Sequence, residues 1–204
     1  MLESAAHALQ ENERRASFLA EASRILATSL DYEQTLQNIA HLAVPEFADW
    51  CQVDLVDEDG SVRPVAVAHR DTEMLRVAEE FRKRYPPAPD APLGVQNVLR
   101  TGRAQHMEEI PRELIERAAT DEEHLQYLRA LDPRSYMIAP LITRDRVLGA
   151  ISFVYTSSNR KYTEADLALA EELGRRAATA IENARLLQEV ERRRADAQQQ
   201  ALKL

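Results

Sequence analysis

The chain has one cysteine, Cys51, in 204 residues. A single thiol cannot form a disulfide within the chain or build a cysteine-based zinc site. That composition points to a reducing compartment, the cytoplasm. No stretch approaches the roughly 18 to 20 consecutive apolar residues of a membrane span. The N-terminus, MLESAAHALQENERR, has no charged segment followed by an apolar core, so it does not read as a signal peptide. There is no P-loop and no Gly-x-Ser-x-Gly elbow, and Ser135 and Ser152 have no His or Asp partner close by in sequence. Positive charge is also in deficit. The formal net charge is −8, which argues against a nucleic-acid partner. The run Glu191-Arg192-Arg193-Arg194 is flanked by acids and reads as a solvated helix face.

What is present is helix at both ends and alternation between them. The length suits one core with helical extensions. Residues 3–29 lack Gly and Pro and carry an apolar stripe of Leu9, Ala16, Leu19, Ala22, Ile25 and Leu26. A second helix over Tyr32–Val44 has Asp31 as its N-cap and stops at Pro45. From Asp49 to Asp57 the period becomes two: Cys51, Val53 and Leu55 face one way, Trp50, Gln52 and Asp54 the other. The turn Asp57-Glu58-Asp59-Gly60 returns the chain along Val62–His69. The middle reads as short elements: helices over 73–85, 94–100, 111–119 and 122–131, and a strand over 104–108. Strands over 135–142 and 146–155 then make a hairpin turning at Thr143-Arg144-Asp145, with Pro140 predicting a bulge or an unpaired side.

Thr163 with Asp166 predicts a capping box for a last helix that runs to about Ala201, interrupted only by Gly174. Leu173, Ala177, Ala180, Ala184 and Leu187 step by 4, 3, 4, 3; Val190, Arg194, Ala197, Ala201 and Leu204 continue after a stammer. Packing on its own sheet accounts for the helix up to about residue 187. Residues 188–204 are too polar for a core and too helix-prone for a loop, so they are expected to pair with a second copy.

Three segments together resemble a GAF domain of bacterial sensor proteins. They are AVPEFADWCQVDLVDEDG, the hairpin SYMIAPLITRDRVLGAISFVY and the last helix YTEADLALAEELGRRAATAIENARLLQEV. The resemblance covers about residues 17–190. It is similar to GAF modules that precede histidine-kinase cores, other sensor modules or serine/threonine phosphatase domains; a cyclic-di-GMP protein is a further alternative parent.

The resemblance implies an α/β (α+β) fold with a central antiparallel sheet of five or six strands. Long terminal helices would pack on one face, and the irregular middle would cover a pocket on the other. It divides the chain into an extension (1–16), a GAF domain (17–187) and a signalling helix (188–204). It implies a homodimer through the terminal helices, with Leu9, Ala16, Leu173, Ala177, Ala180, Ala184, Leu187 and Val190 at the contact. It implies a regulatory module, not an enzyme, that signals to an output domain such as a histidine kinase; a ligand-free dimerisation spacer is the competing reading. The fold's methionine-sulfoxide-reductase members need several redox cysteines, and this chain has one.

The pocket walls are expected to include Trp50, Gln52, Asp54, His69, Tyr85, His106, Tyr127, Ser135, Met137 and Ser152, an apolar lining with a few polar groups. The ligand is not identified, and no covalent cofactor or metal is expected. Asn159, Lys161, Tyr162 and Asp166 are a partial echo of the cyclic-nucleotide motif, with compressed spacing and Leu167 in place of Glu. Cys51 falls on a core face, unlike a bilin-attachment cysteine. His69, His106 and His124 lie near the covering half, where a haem ligand would stand; His41 and His7 do not. No histidine pair has metal-binding spacing, and His7 lacks the company of a phosphoacceptor.

Overall fold

The computed structural model describes the backbone of residues 2–144, 146–158 and 160–201, and side chains between residues 5 and 199 of these. Asp145, Asn159 and Leu204 lie outside the described residues. The elements are α1 (Leu2–Ala27), α2 (Tyr32–Ala43), β1 (Trp50–Val56), β2 (Val62–His69), α3 (Thr72–Arg84), α4 (Val95–Thr101), β3 (Gln105–Met107), α5 (Arg112–Ala118), α6 (Glu122–Leu131), β4 (Ser135–Ile142), β5 (Val147–Tyr155) and α7 (Glu164–Ala201).

The strands form one antiparallel sheet in the order β2-β1-β5-β4-β3. Local chemistry sets the boundaries. The Asp31 side chain accepts from the Gln34 N–H to cap α2. Gly60 has φ 82° and closes the β1–β2 hairpin. Pro140 stays in register with Ala150 on β5, and the bulge falls one step later, between Leu141 and Ile142. β3 reaches only Tyr136–Ile138, so the far side of β4 is unpaired at Pro140, where no donor is needed. Asp166 accepts from the Thr163 N–H and hydroxyl, and the Asp166 N–H donates back to Thr163 Oγ1, completing the cap that the sequence predicts.

α1, α2 and α7 cover one face of the sheet. The core there joins Phe18, Leu36, Ile39, Phe47, Cys51, Val53, Leu55, Met137, Phe153, Leu173 and Ile181. Phe18 stacks on Phe47 at 4.6 Å, and Phe153 meets both rings edge-on. Such pairs add about 0.5–1.5 kcal/mol beyond the area they bury. α1 is tied to α7 twice: Arg15 Nε reaches Asp166 at 2.7 Å, and Arg176 Nη1 donates to Ser23 Oγ at 2.6 Å. Both contact numbers rise together, so the two helices run in the same direction. α1 therefore extends beyond one end of the shared packing and α7 beyond the other.

This geometry corrects the expected seam in part. Leu173 and Ala177 are members of the chain's own core, and Ala184 is buried within the chain, so these three are not free for a partner. A straight helix on a sheet and a helix in a coiled coil select nearly the same positions over two turns, so the 4-3 stepping could not separate them. Ala180 packs at the edge of that core. Leu9, Ala16, Leu187 and Val190 remain exposed, as does Leu186.

Candidate functional site

The second face of the sheet is read from its register, because directly opposed residues in antiparallel strands share a face. One row holds His69, Trp50, Val154 and Tyr136; the next holds Val67, Gln52, Ser152, Ile138 and Gln105; the third holds Pro64, Asp54, Ala150 and Pro140. Two short elements cover them. α4 lays Val95, Val98 and Leu99 on Tyr136, Ile138 and Ala150. α3 reaches over β1 with Arg82.

A polar cluster lies on β1 and β5 in the middle rows. Arg82 Nη2 donates to Gln52 Oε1 at 2.9 Å, and Gln52 Nε2 donates to Asp54 Oδ1 and Oδ2 at 2.9 and 2.7 Å. Asp54 is 4% exposed. Burial pushes its carboxyl above the usual aspartate range, and the Gln52 amide and Arg82 charge offset only part of that. Ser152 Oγ and Trp50 Nε1 are buried with no hydrogen-bond partner among the described residues. His69 packs beside Trp50 with ring centroids 6.2 Å apart, and its Nδ1 accepts from the Asp71 N–H at 2.9 Å. Burial lowers the His69 pKa against the opposing pull of Asp71 and Asp49, which favours the neutral ring with its proton on Nε2.

Trp50, Gln52 and Asp54 thus share one face, as their alternation predicts, and pairing brings His69 and Ser152 onto it. Ser135, Met137 and His106 do not join them. Ser135 opposes Tyr155, and His106 opposes Met137, which opposes Phe153 on the α7 side. Ser135 Oγ donates to the Met107 carbonyl and accepts from the Tyr162 N–H, a structural role. β4 is apolar on both faces, so its sequence carried no signal for which residues face which way. Tyr85 and Tyr127 sit in the layer above, where α3 meets α6. Tyr85 stacks on His124 at 4.3 Å and donates to Asp121, and Tyr127 packs at 5.9 Å from Phe81. Arg82 and Gln105 belong to the face and carried no sequence signal. Arg82 sits in the run Phe81-Arg82-Lys83-Arg84, where only the docking of α3 selects it.

Other candidates have local roles. Cys51 is fully buried, and burial pushes its thiol far up, so it is inert at neutral pH. Asp166 caps α7 and holds Arg15, the Tyr162 hydroxyl donates to the Phe47 carbonyl, and Lys161 pairs with Glu109. His124 Nδ1 takes the Thr120 N–H, and His41 pairs with Gln37. Among the described residues no group of three His, Cys, Asp or Glu could hold a metal, and no helix is long and apolar enough to cross a membrane. A groove of about 700 Å³ lies on the helix side, between the Ala27–Leu30 corner and Ala180, Asn183 and Ala184 of α7.

The GAF domain family profile matches residues 31–181. The chain belongs to the GAF domain family. GAF domains serve as regulatory modules. Solved structures share the fold. The GAF domain of a phosphoenolpyruvate-protein phosphotransferase from Coxiella burnetii is 15% identical with TM-score 0.63, covering 87% of this chain and 98% of that one. A GAF domain/HD domain protein from Geobacter sulfurreducens is 20% identical with TM-score 0.58, covering 79% and 98%. Free methionine-R-sulfoxide reductase from Neisseria meningitidis, in complex with its substrate, is 15% identical with TM-score 0.58, covering 85% and 91%. At these identities the likeness concerns the fold. No curated protein matches the sequence.

Proposed function

We propose that this GAF domain is the cytoplasmic small-molecule sensor of a signalling protein, a histidine kinase by preference, and that it acts as a homodimer whose C-terminal helix carries the signal to an output domain. One observation carries the reading. β1 and β5 hold an under-partnered polar cluster on one face and the packing surface of α1 and α7 on the other. Gln52 and Ser152 alternate with Cys51 and Phe153 along the same two strands. A ligand that binds two packings of these strands with different affinity shifts the balance between them, and the shift reaches α7 directly.

The helices support the dimeric part. Past Arg185, whose guanidinium lies 5.4 Å from the Tyr32 ring centroid, α7 leaves its own domain. The sixteen residues that follow, to Ala201, extend about 24 Å at 1.5 Å per residue. A polar helix of that length is marginal alone. Leu186, Leu187 and Val190 supply an apolar edge, and the groove beside Ala180 and Ala184 continues it towards α1. The proposed domain limits are an extension over 1–16, a GAF domain over 17–187 and a signalling helix over 188–204.

The second reading, a dimerisation spacer without ligand, is favoured by the closure of half of the second face under Val95, Val98 and Leu99. Native mass spectrometry of the purified protein, with its absorbance spectrum, separates the two. A dimer with retained extra mass supports the sensor. A dimer that acquires no mass from any metabolite tested supports the spacer. A monomer across the micromolar range removes the dimeric mechanism.

A further inference from the structure

The hydrogen-bonding capacity of the polar cluster is unbalanced. Apart from the Ser152 oxygen, which is unpartnered in both roles, its acceptors are in use: both Asp54 oxygens take the Gln52 amide, Gln52 Oε1 takes Arg82, and His69 Nδ1 takes the Asp71 N–H. Its donors are not. Among the described residues Trp50 Nε1–H, the Ser152 hydroxyl and His69 Nε2–H have no partner, and Arg82 uses one N–H of its fork on Gln52. Ser152 is 8% exposed with its oxygen shielded, so solvent does not satisfy it. A buried donor without an acceptor costs about 1–3 kcal/mol. Two of them, on diagonal neighbours of one sheet face, call for an acceptor-rich occupant.

We infer that the ligand of this face is a small organic carboxylate, held by the Arg82 guanidinium, the Ser152 hydroxyl and the Trp50 indole N–H, with His69 Nε2–H at the rim. The inference rests on the small-molecule reading given above and names the chemical class of the ligand. Charge selects the carboxylate over a phosphate. Arg82 is the one cation in the cluster, and Asp54 lies close behind Gln52; a dianion would be under-compensated there. A carboxylate matches the fork of one guanidinium. The raised pKa of Asp54 lessens its repulsion of a monoanion. The floor, Asp54 and Ser152, is buried, whereas Trp50, Gln52, His69 and Arg82 are half-buried, so the ligand enters at the rim and reaches the shielded Ser152 hydroxyl and Trp50 N–H as the α3 cover at Arg82 moves aside.

Trp50 is the only tryptophan, so its emission reports this face directly. The full chain is titrated with acetate, propionate and succinate, and in parallel with inorganic phosphate, methylammonium and guanidinium. Melting temperature is followed on the same samples. The expected result is a saturable change in Trp50 emission with at least one carboxylate. Arg82→Met and Ser152→Ala weaken it roughly tenfold or more, as loss of a charge-assisted or buried hydrogen bond does. Arg84→Met, whose guanidinium pairs with Glu123 away from the cluster, leaves it unchanged. Far-UV circular dichroism confirms that each variant folds.

If a cation or phosphate moves Trp50 and no carboxylate does, the ligand class is overturned and the site stands. If a molecule raises the melting temperature without touching Trp50 emission, and still binds Arg82→Met, the site itself is misplaced. If no probe changes either signal, the carboxylate assignment fails, and native mass spectrometry of the purified protein then decides the sensor reading independently.

Discussion

Gly174 of α7 lies directly against the carbonyl of Pro140 on β4: a Cβ built at residue 174 would overlap the Pro140 oxygen. The only glycine in α7 is therefore placed where the helix backbone meets the sheet backbone. Helix propensity alone says that Gly174→Ala should stabilise by about 1 kcal/mol. The contact says the reverse, because neither backbone can yield cheaply; overpacking of this kind costs about 1–3 kcal/mol. Gly174→Ala is expected to lower the melting temperature in a thermal scan. A rise would mean that α7 stands farther from β4 than described.

Asp166 joins two functions in one carboxylate. It caps α7 through Thr163 and binds Arg15 of α1, with side-chain exposures of 6% and 17% for Asp166 and Arg15. Removing it leaves a cap open and a half-buried guanidinium unpaired. Asp166→Ala is expected to cost about 3–5 kcal/mol, the range for breaking a buried pair from one side. Thr163→Ala, which removes only the cap hydroxyl, is expected to cost about 1 kcal/mol. Urea unfolding of the two variants tests the order; equal losses would show that the Arg15 contact contributes nothing.

Two buried aspartates give stability of opposite pH dependence. Asp49 is desolvated, which raises its pKa, but the Ser158 hydroxyl, the N–H groups of Thr156 and Ser158, and Arg70 outweigh this and hold it below the usual range. Its folded pKa is below the unfolded one, so its contribution is present above the unfolded value, about 3.9, and is lost as pH falls through the folded value. Asp49→Asn is expected to melt lower at pH 7, with the gap to the wild type closing in acid. Asp54 has the opposite sign. Its folded pKa is raised, so its contribution is present below the unfolded value and is lost as pH rises through the folded one. Asp54→Asn is expected to melt at or above the wild-type temperature at pH 7. Melting curves at pH 7, at pH 4 and at about pH 2 read both, the Asp49 gap closing only between the last two.

The fold was legible wherever a period or a cap was strong. The alternation of Trp50–Val56, the Asp31 and Thr163–Asp166 caps and the Gly60 turn each state their structure locally. Elements without such signals were placed correctly, but their faces were not. β4 reads apolar on both sides, so Ser135 and Met137 could be assigned to a face only through their pairing with Tyr155 and Phe153. His106 followed Met137 by the same register. Five of the expected wall residues met on one face, Trp50, Gln52 and Asp54 because β1 alternates, and His69 and Ser152 because they pair with Trp50 and Gln52. Arg82 was invisible because three consecutive cations look alike until α3 docks. The α7 seam was ambiguous for a geometric reason: its first half serves the sheet and only its second half is free.

That division of α7 can be tested by one kind of substitution made on both sides of it. Leu187 and Val190 are 47% and 45% exposed, outside the core of the domain. Leu173 is fully buried against the sheet. Leu187→Glu with Val190→Glu is expected to leave monomer stability within about 0.5 kcal/mol, as for surface changes. Leu173→Glu buries a charge without a partner and is expected to cost about 4 kcal/mol or more. The same double substitution should weaken self-association, because it puts like charges where two copies of the free segment would meet. Sedimentation equilibrium across the micromolar range measures this. A variant that stays as dimeric as the wild type places the dimer contact elsewhere, with the groove beside Ala180 and Asn183 as the next surface to change.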